Sequence, residues 1–282
     1  MKRNAVIIAA GTASRFVPLS WECPKGLLMV RGEVLLERQI RQLKEADVDD
    51  IVIVCGYMAE RFEYLKTKYD VKLIYNPDYY RFNNISSIVC ALDYLENTFI
   101  CCSDHYFTSN VFIEKSQQSY YAALYSEERT NEYCLNLNDD DSINGVDIGG
   151  EKQWYMAGHA FFNAEFSRAY KNLVRETYST IDFEREYWED IYIKHIHLLP
   201  KLFVMRYNSG DILEFDSLEE LRKFDSSYIL NPHSEILKQI CNSLNCSESE
   251  INKIKKINEE HSFEFCISDK KYAYINGDIK LC

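Results

Sequence analysis

The sequence has no excess of positive charge and no long apolar run, and these absences exclude whole classes of protein. Its 282 residues carry 32 Lys and Arg against 44 Asp and Glu, a net charge of −12. Such a balance argues against binding along a nucleic-acid backbone, which requires a basic surface. No apolar stretch approaches membrane-spanning length, and the run at residues 5–10 is too short for the core of a signal peptide. We therefore expect a cytoplasmic protein with no membrane insertion and no nucleic-acid partner.

Cysteine is plentiful, but the spacings that bind zinc or carry redox chemistry are missing. The 10 cysteines include no Cys-x-x-Cys pair, and Cys55, Cys90 and Cys134 stand singly in apolar runs. The adjacent Cys101 and Cys102 should point to opposite faces of a strand. This pattern favours reduced thiols in the cytoplasm.

Short apolar runs alternate with amphipathic segments over the first hundred residues. The runs have the length of strands buried on both faces, and the segments between them have helical apolar spacing. Strands are predicted at residues 5–10, 51–54, 71–75 and 99–102, and helices at residues 33–46, 60–69 and 84–94. This rhythm predicts an α/β, Rossmann-like fold with a mixed, mainly parallel sheet. Because ligands bind at the carboxyl ends of such strands, Gly11 and Asp104 lie where chemistry is expected.

The pattern changes after about residue 119. Alternating segments at residues 120–125, 133–137, 143–148 and 154–162 predict antiparallel strands, with a turn at Asn144-Gly145. Helices are predicted at residues 164–176, 183–197 and 218–224, with a strand at residues 202–207. Polar residues 225–232 mark a boundary, so we predict one domain over residues 1–228 and a small α+β appendage over residues 229–282. The appendage has a helix from Ser234, a capping box from Ser247 to Glu250 and a hairpin around Asp269, and it is too small to bury a core of its own.

The most informative stretch follows the first predicted strand. It reads Ala9-Ala10-Gly11-Thr12-Ala13-Ser14-Arg15 and is completed by Pro24-Lys25-Gly26-Leu27. A strand that stops at a glycine lets backbone N–H groups face a bound phosphate, because no side chain blocks the approach. Arg15 adds a planar fork for phosphate oxygens, and Lys25 adds a mobile charge. The glycine patterns of a Rossmann fingerprint and of a Walker loop are both absent.

As a whole, the stretch resembles the signature of the sugar-phosphate and choline-phosphate nucleotidyltransferases, A-A-G-x-G-x-R followed by P-K. Ala13 stands where most of that superfamily has a second glycine. Further segments follow in the family's order as far as residue 224, namely Gly56-Tyr57, Asn83-Asn84 with Ser87, Ser103-Asp104, Asn131-Glu132-Tyr133, Trp188-Glu189-Asp190 and Glu214-Phe215-Asp216-Ser217. The chain therefore resembles the bacterial CTP:phosphocholine cytidylyltransferases, with the nucleotidyltransferase fold.

The resemblance also implies site residues and a cofactor. Arg15 and Lys25 are implied in catalysis, and Asp104 and Asp216 as ligands of Mg²⁺. Two carboxylates with substrate phosphates and waters suit Mg²⁺, although each aspartate could instead be a helix N-cap. His105 follows Asp104 where relatives more often have Asn, and we expect it at the surface or behind a metal ligand. Nucleotide contacts are implied for Ala10, Gly11, Thr12, Ala13, Ser14, Gly56, Tyr57, Asn84, Ser87 and Ser103.

The implied reaction is attack of a phosphomonoester oxygen on the α-phosphorus of CTP, with release of pyrophosphate. A phosphate dianion is already a competent nucleophile, so the protein must align two anions and neutralise their repulsion. A quaternary ammonium is held by aromatic faces and nearby carboxylates. The resemblance implies such an acceptor site at Glu132, Tyr133, Trp188, Glu189 and Asp190, and the alternative for these residues is core packing.

Other functions stay open beside phosphocholine as acceptor. An acceptor such as 2-aminoethylphosphonate, phosphoethanolamine or a sugar phosphate would keep the fold and chemistry. A catalytically idle nucleotide-binding protein is suggested by Ala13 and His105, and Arg15 and Lys25 argue against it. Residues 234–275 resemble the opening of the bacterial choline-kinase fold, but the phosphate-binding glycines are missing near residues 259–261, so we expect no kinase activity. CTP over UTP, and the oligomeric state with a homodimer included, are left open.

Overall fold

The computed structural model describes residues 2–113, 116–177, 186–231, 233–257 and 261–282. The chain divides into two compact units. Unit 1 comprises residues 1–11 and 36–214, and unit 2 comprises residues 12–35 and 215–282. The loop that follows the first strand and the C-terminal tail therefore belong to the same unit. The domain boundary predicted at residue 228 does not coincide with this division and stays a prediction.

The secondary structure follows the order that the apolar periodicity predicts. The strands are β1 (Asn4–Ala9), β2 (Met29–Val30), β3 (Glu33–Val34), β4 (Asp50–Cys55), β5 (Lys72–Tyr75), β6 (Thr98–Cys102), β7 (His105–Phe107), β8 (Tyr120–Ser126), β9 (Thr130–Leu137), β10 (Ile143–Gly150), β11 (Gln153–Phe162), β12 (Phe203–Arg206), β13 (Ile212–Glu214), β14 (Ile251–Lys256), β15 (Ser262–Ile267), β16 (Lys270–Ile275) and β17 (Asp278–Leu281). The helices are α1 (Leu19–Glu22), α2 (Leu35–Glu45), α3 (Tyr64–Tyr69), α4 (Ile85–Cys90), α5 (Ala164–Thr177), α6 (Trp188–Lys194), α7 (Leu218–Phe224), α8 (Ser227–Leu230) and α9 (Glu235–Leu244).

Unit 1 is built on a mixed sheet. Its strands lie in the order β10-β9-β11-β6-β1-β4-β5, and β8 pairs with β11 and with β12. The central strands β6, β1, β4 and β5 are parallel to their neighbours in that group, whereas β11 is antiparallel to β6. This arrangement confirms the predicted Rossmann-like sheet. Because β1 is parallel to both β4 and β6, the carboxyl ends of all three strands meet at one edge.

The core explains why these runs are strands. Every side chain from Ala5 to Ala9 is at most 7% exposed, and residues 51–55 of β4 are equally buried. Continuous burial on both faces is the signature of central parallel strands covered by helices. The ten cysteines are free thiols, as the sequence predicts.

Four predicted elements differ from the structure. Asn144 and Gly145 lie inside β10 at an irregularity of its pairing with β9, and not at a turn. The turn comes earlier, where Asp141 adopts φ +64° and Ser142 accepts a hydrogen bond from the side chain of Asn138. The helices predicted at residues 60–69 and 84–94 are each a 3₁₀ turn and a short α-helix. The helix predicted from residue 183 begins at Trp188, and residues 183–185 lie outside the described residues.

In unit 2, the C-terminal residues 215–282 pack against residues 12–35, which follow β1. Strands β14 to β17 form an antiparallel sheet, and the predicted hairpin and capping box are both present. Trp21 packs on Phe263, with ring centroids 5.7 Å apart, and Glu22 Oε1 accepts a hydrogen bond from the Ile236 amide at 3.1 Å. The appendage thus shares its core with residues 12–35, which is how so small a segment buries its aromatic residues. Within the described part of the chain, no helix combines the length and the apolar character needed to cross a membrane.

Candidate functional site

The loop after β1 begins at the carboxyl edge of the sheet. Gly11 is exposed, and a Cβ built on it would meet nothing within 4 Å. Ala13 adopts φ +46° and ψ +49° and precedes a 3₁₀ turn over Ser14–Phe16. Left-handed backbone favours glycine, so this conformation explains why a second glycine is expected at this position and why alanine there is strained. Thr12 and Ser14 are exposed in the same loop.

Arg15, Lys25 and Asp216 converge within unit 2. The Arg15 guanidinium lies 2.7 Å from Asp216 Oδ2, and Lys25 Nζ lies 3.3 Å from Asp216 Oδ1. The Lys25 side chain is 11% exposed and the Arg15 side chain 75% exposed, so burial fixes the lysine and leaves the arginine mobile. An exposed ion pair contributes at most about 1 kcal/mol, so Arg15 is able to leave Asp216 for a stronger anion.

The alternative interpretation of the two aspartates as helix N-caps is wrong. Ser217 is the N-cap of α7, where its hydroxyl accepts a hydrogen bond from the Glu220 amide. Asp104 lies between β6 and β7 and starts no helix. Asp104 is part of unit 1, whereas Asp216 is part of unit 2.

Several predicted nucleotide contacts meet at the sheet edge of unit 1. The Tyr57 amide donates to the Ala10 carbonyl at 3.1 Å, and the Ser103 amide donates to the Ile8 carbonyl at 3.0 Å. Gly56 is tightly packed, because a Cβ there would lie 2.6 Å from Tyr79 Cβ and 2.9 Å from Ala10 Cβ. The glycine is therefore required by packing at this edge.

Asn84 and Ser87 make structural contacts at α4. The Asn84 side-chain oxygen accepts a hydrogen bond from the Trp188 amide at 2.9 Å, so it fixes the start of α6. Ser87 is 1% exposed, and its hydroxyl accepts from Asn76 at 3.1 Å. Their predicted contacts with the nucleotide stay predictions.

Asp104 lies in a cluster of possible metal ligands. One ligand atom each from Cys102, Asp104 and His105 lie within 4.8 Å of one another. His105 is 7% exposed, with Nδ1 3.7 Å from Asp104 Oδ1 and Nε2 3.4 Å from Glu214 Oε2. Of the two positions expected for His105, the surface is excluded, since His105 is buried between two carboxylates, and the position behind Asp104 agrees with the structure.

This cluster fits a divalent cation, but its donors are not those that Mg²⁺ prefers. Mg²⁺ binds oxygen ligands in near-ideal octahedral geometry and is often held by one or two carboxylates with substrate phosphates and waters. Asp104 supplies a carboxylate, while Cys102 and His105 supply sulfur and nitrogen. Imidazole and thiolate suit transition metals better.

The predicted acceptor residues form an aromatic and acidic cluster in unit 1. Trp188, 2% exposed, stacks on Tyr121 with ring centroids 5.7 Å apart at 15°. The Tyr121 hydroxyl donates to Glu189 Oε1 at 3.0 Å. Glu189 Oε2 is buried and has no hydrogen-bond partner among the residues that the structure describes. A buried carboxylate oxygen beside aromatic rings is a site suited to a cation.

Glu189 has an unusual acidity for a carboxyl group. Burial raises the pKa of Glu189 to about 7, and the neighbouring carboxylate of Asp190 adds to the rise. The Tyr121 hydroxyl and His105 oppose it. The group therefore changes its charge near neutral pH, and a cation placed beside it would favour the ionised form.

Tyr133 and Asp190 complete this cluster, and Glu132 points away from it. The Tyr133 hydroxyl donates to Asp190 Oδ1 at 2.9 Å, and Asp190 Oδ2 accepts from the Tyr187 amide at 2.7 Å. Glu132 is exposed and precedes Tyr133 on β9, so the two side chains leave opposite faces of the strand. The structure thus brings together four of the five predicted acceptor residues.

Three residues of these clusters were not predicted as site residues. Tyr121 stands in an alternating strand with no motif around it, so its position is set by the pairing of β8 with β11. Glu214 reaches His105 because β13 pairs with β7. Cys102 was interpreted as an ordinary thiol, although its place at the end of β6 next to Asp104 was a usable signal.

Comparisons with known proteins show the family to which the chain belongs. Residues 5–136 match the family model described as the MobA-like NTP transferase domain. A choline-phosphate cytidylyltransferase of Haemophilus influenzae is 34% identical over 219 residues, which are 77% of this chain and 94% of that protein. A 2-aminoethylphosphonate cytidylyltransferase of Lancefieldella rimae is 34% identical over 81% of this chain and 94% of its own.

A solved structure shows the same fold. The CTP:phosphocholine cytidylyltransferase of Streptococcus pneumoniae superposes with a TM-score of 0.77 at 31% identity, covering 80% of this chain and 99% of that one. The nucleotidyltransferase type of the α/β fold is thereby confirmed. The chain belongs to the family of nucleotidyltransferases that contains the bacterial choline-phosphate cytidylyltransferases.

Proposed function

We propose that this nucleotidyltransferase transfers CMP from CTP to phosphocholine, giving CDP-choline and pyrophosphate. An oxygen of the phosphocholine phosphate attacks the α-phosphorus of CTP, and the bond from that phosphorus to the bridging β-phosphate oxygen breaks. The observation that carries the choice of acceptor is the buried Glu189 carboxylate beside the stacked rings of Tyr121 and Trp188.

The acceptor's trimethylammonium group matches this cluster. It carries a charge but no N–H, so it is recognised by charge and by aromatic faces rather than by hydrogen bonds. Glu189 and Asp190 supply two adjacent carboxyl groups, and Tyr121 and Trp188 supply rings. A sugar phosphate has no positive charge to offset the cost of ionising a buried carboxyl.

Arg15 and Lys25 are the residues that we propose to bind the CTP phosphates. Lys25, held by burial and by Asp216, provides a fixed positive charge, and exposed Arg15 provides a planar fork able to move onto phosphate oxygens. Their charge reduces the repulsion between the two anions and stabilises the leaving pyrophosphate. Asp216 orients both cations, and its predicted role as a ligand of Mg²⁺ stays a proposal. The remaining predicted nucleotide contacts and the predicted contact of Glu132 with the acceptor stay proposals.

A divalent cation at Asp104, Mg²⁺ being the ion predicted from the sequence, would supply further charge neutralisation at the phosphates when bound. We also propose a cytoplasmic location, which the ten free thiols favour.

The test is pyrophosphate release by the purified full-length chain. CTP or UTP would be combined with phosphocholine, phosphoethanolamine, 2-aminoethylphosphonate or glucose 1-phosphate, in the presence of a divalent cation. We expect the largest kcat/KM with CTP and phosphocholine. Turnover of the sugar phosphate above that of phosphocholine would reject the acceptor, and no release with any pair would support an idle nucleotide-binding protein.

A second acceptor, 2-aminoethylphosphonate, is favoured by one observation. Glu189 Oε2 lacks a partner among the described residues, and a primary ammonium is able to donate a hydrogen bond to it. The relative in Lancefieldella rimae carries that acceptor in its name. Competition between the two acceptors at equal concentration in the same assay decides between them.

A further inference from the structure

The sequence around Asp104 supplies an unusual donor set for an ion that meets phosphates. Cys102 ends β6, Asp104 follows in the connection, and His105 begins β7. Their three ligand atoms lie within 4.8 Å of one another. The three residues lie within a stretch of four, residues 102–105, so no long-range contact is needed to bring them together.

The spacing matches that of ligands on one ion. His105 Nδ1 and Asp104 Oδ1 are 3.7 Å apart. Two ligands at about 2.1 Å from a tetrahedral ion are separated by about 3.4 Å, so a shift of a few tenths of an ångström suffices for this pair. The sulfur of Cys102 lies within 4.8 Å of the other two ligand atoms and has to move closer to them when the ion binds. His105 Nδ1 is also 3.4 Å from the Cys102 carbonyl oxygen, which accepts a hydrogen bond when Nδ1 carries the proton, so an ion bound to Nδ1 replaces this contact.

The second nitrogen of His105 has the partner expected of a metal-binding histidine. Nε2 lies 3.4 Å from Glu214 Oε2, across the β7–β13 pair. Histidines that bind metals usually donate their other N–H to a carboxylate, which fixes the tautomer and makes the ligating nitrogen more basic. In the tautomer with Nε2–H toward Glu214, the lone pair of Nδ1 is available to an ion beside Asp104 and Cys102, and this tautomer gives up the Nδ1–H hydrogen bond to the Cys102 carbonyl oxygen.

We propose that Cys102, Asp104 and His105 form a binding site for a divalent transition-metal ion of the Mn²⁺, Co²⁺ or Zn²⁺ class, with Glu214 orienting His105. The thiol of Cys102 gives its proton to solvent when its sulfur binds the ion. The use of this ion in catalysis rests on the proposed function, whereas its binding does not, because binding is measured without substrates.

The experiment titrates Co²⁺ into the full-length protein under reducing conditions and follows the absorption spectrum. We expect visible d–d bands and a near-ultraviolet sulfur-to-cobalt charge-transfer band at one equivalent. Cys102→Ser should abolish the charge-transfer band, and both Cys102→Ser and His105→Asn should weaken Co²⁺ binding by about 10-fold or more. Exposed residues serve as matched controls, since Cys282→Ser and His197→Asn should leave the spectrum and the affinity unchanged.

Several outcomes overturn the proposal. Preference for Co²⁺ over Mg²⁺ is not decisive, because most nitrogen and oxygen sites follow that order. The proposal fails if no charge-transfer band appears. It also fails if Cys102→Ser and the wild type bind Co²⁺ with the same affinity. In either case the role of His105 is to form ion pairs with Asp104 and Glu214. Circular dichroism checks that His105→Asn is folded, and the isosteric Cys102→Ser decides the matter if it is not. Pyrophosphate assays with Mn²⁺ and Mg²⁺ are read separately, so an inactive protein that binds Co²⁺ rejects the proposed function and not the metal site.

Discussion

Replacement of Glu189 by glutamine tests whether a buried carboxylate holds the acceptor's cation. The substitution removes the charge but keeps the shape of the side chain and an oxygen that accepts the hydrogen bond from the Tyr121 hydroxyl. In the wild type this hydrogen bond is 3.0 Å long. Since burial raises the pKa of Glu189 to about 7, the wild-type site gains its negative charge only as the pH rises through neutrality.

The size of the effect follows from this pKa. With a pKa of about 7, Glu189 is roughly 90% ionised at about pH 8 and roughly 10% ionised at about pH 6. If the ammonium group binds only to the ionised form, KM for phosphocholine rises about 10-fold between these pH values. The phosphate of phosphocholine also loses its second proton at about pH 6. This ionisation changes KM equally in the wild type and in Glu189→Gln. Glu189→Gln should therefore bind phosphocholine weakly at both pH values and lack the additional 10-fold dependence.

The same carboxyl group also makes stability depend on pH. A raised pKa means that the folded protein favours the protonated form. The stabilisation is complete below the ordinary pKa of 4.5 and is lost as the pH rises through about 7, which amounts to about 3 kcal/mol. Relative to Glu189→Gln, the wild type should lose this free energy of unfolding over that interval.

Two measurements check the prediction. The rate of pyrophosphate release at varied phosphocholine concentration gives KM at each pH between about 6 and about 8. Unfolding in urea gives the free energy of unfolding over the same range. Glu165→Gln, at an exposed position on α5, is the control and should resemble the wild type in both. An identical pH dependence of KM in Glu189→Gln and wild type would refute the reasoning.

Three further predictions concern the loop and the tail. Lys25→Ala should lower kcat for pyrophosphate release by about 100-fold, and a change below about threefold would remove Lys25 from the reaction. Ala13→Gly should raise the free energy of unfolding in urea by about 1 kcal/mol, because φ is +46° at this position; a loss of stability would mean that the flexibility of glycine outweighs the strain. Removal of residues 229–282 uncovers Trp21 and should lower both the melting temperature and kcat, whereas removal of residues 278–282, the exposed edge strand β17, should change neither by much. Equal melting temperatures for the two truncations would contradict the shared core.

The sequence predicts the first half of the chain well because its strands are buried on both faces. Strands β1, β4, β5 and β6 begin or end within one residue of the predicted runs. Short helices were less well predicted, since 3₁₀ and α turns share the same apolar spacing in segments such as residues 60–69. The turn predicted at Asn144-Gly145 was wrong because this pair, typical of hairpins, here lies within a strand at a bulge.

What the sequence determined by itself is local: the order of strands and helices, the glycine at the end of β1, the basic residues Arg15 and Lys25, and the pattern that indicates the family. The tertiary structure alone decided which distant side chains meet. Strand pairing carries Glu214 to His105, packing of α6 against β8 brings Glu189 to Tyr121, and packing places the tail around residues 12–35. The pKa of Glu189 is likewise a tertiary property, because it depends on burial among residues from three separate segments. A sequence motif fixes which groups are present, whereas long-range packing fixes their distances and their access to water, and these two quantities set their charge and reactivity.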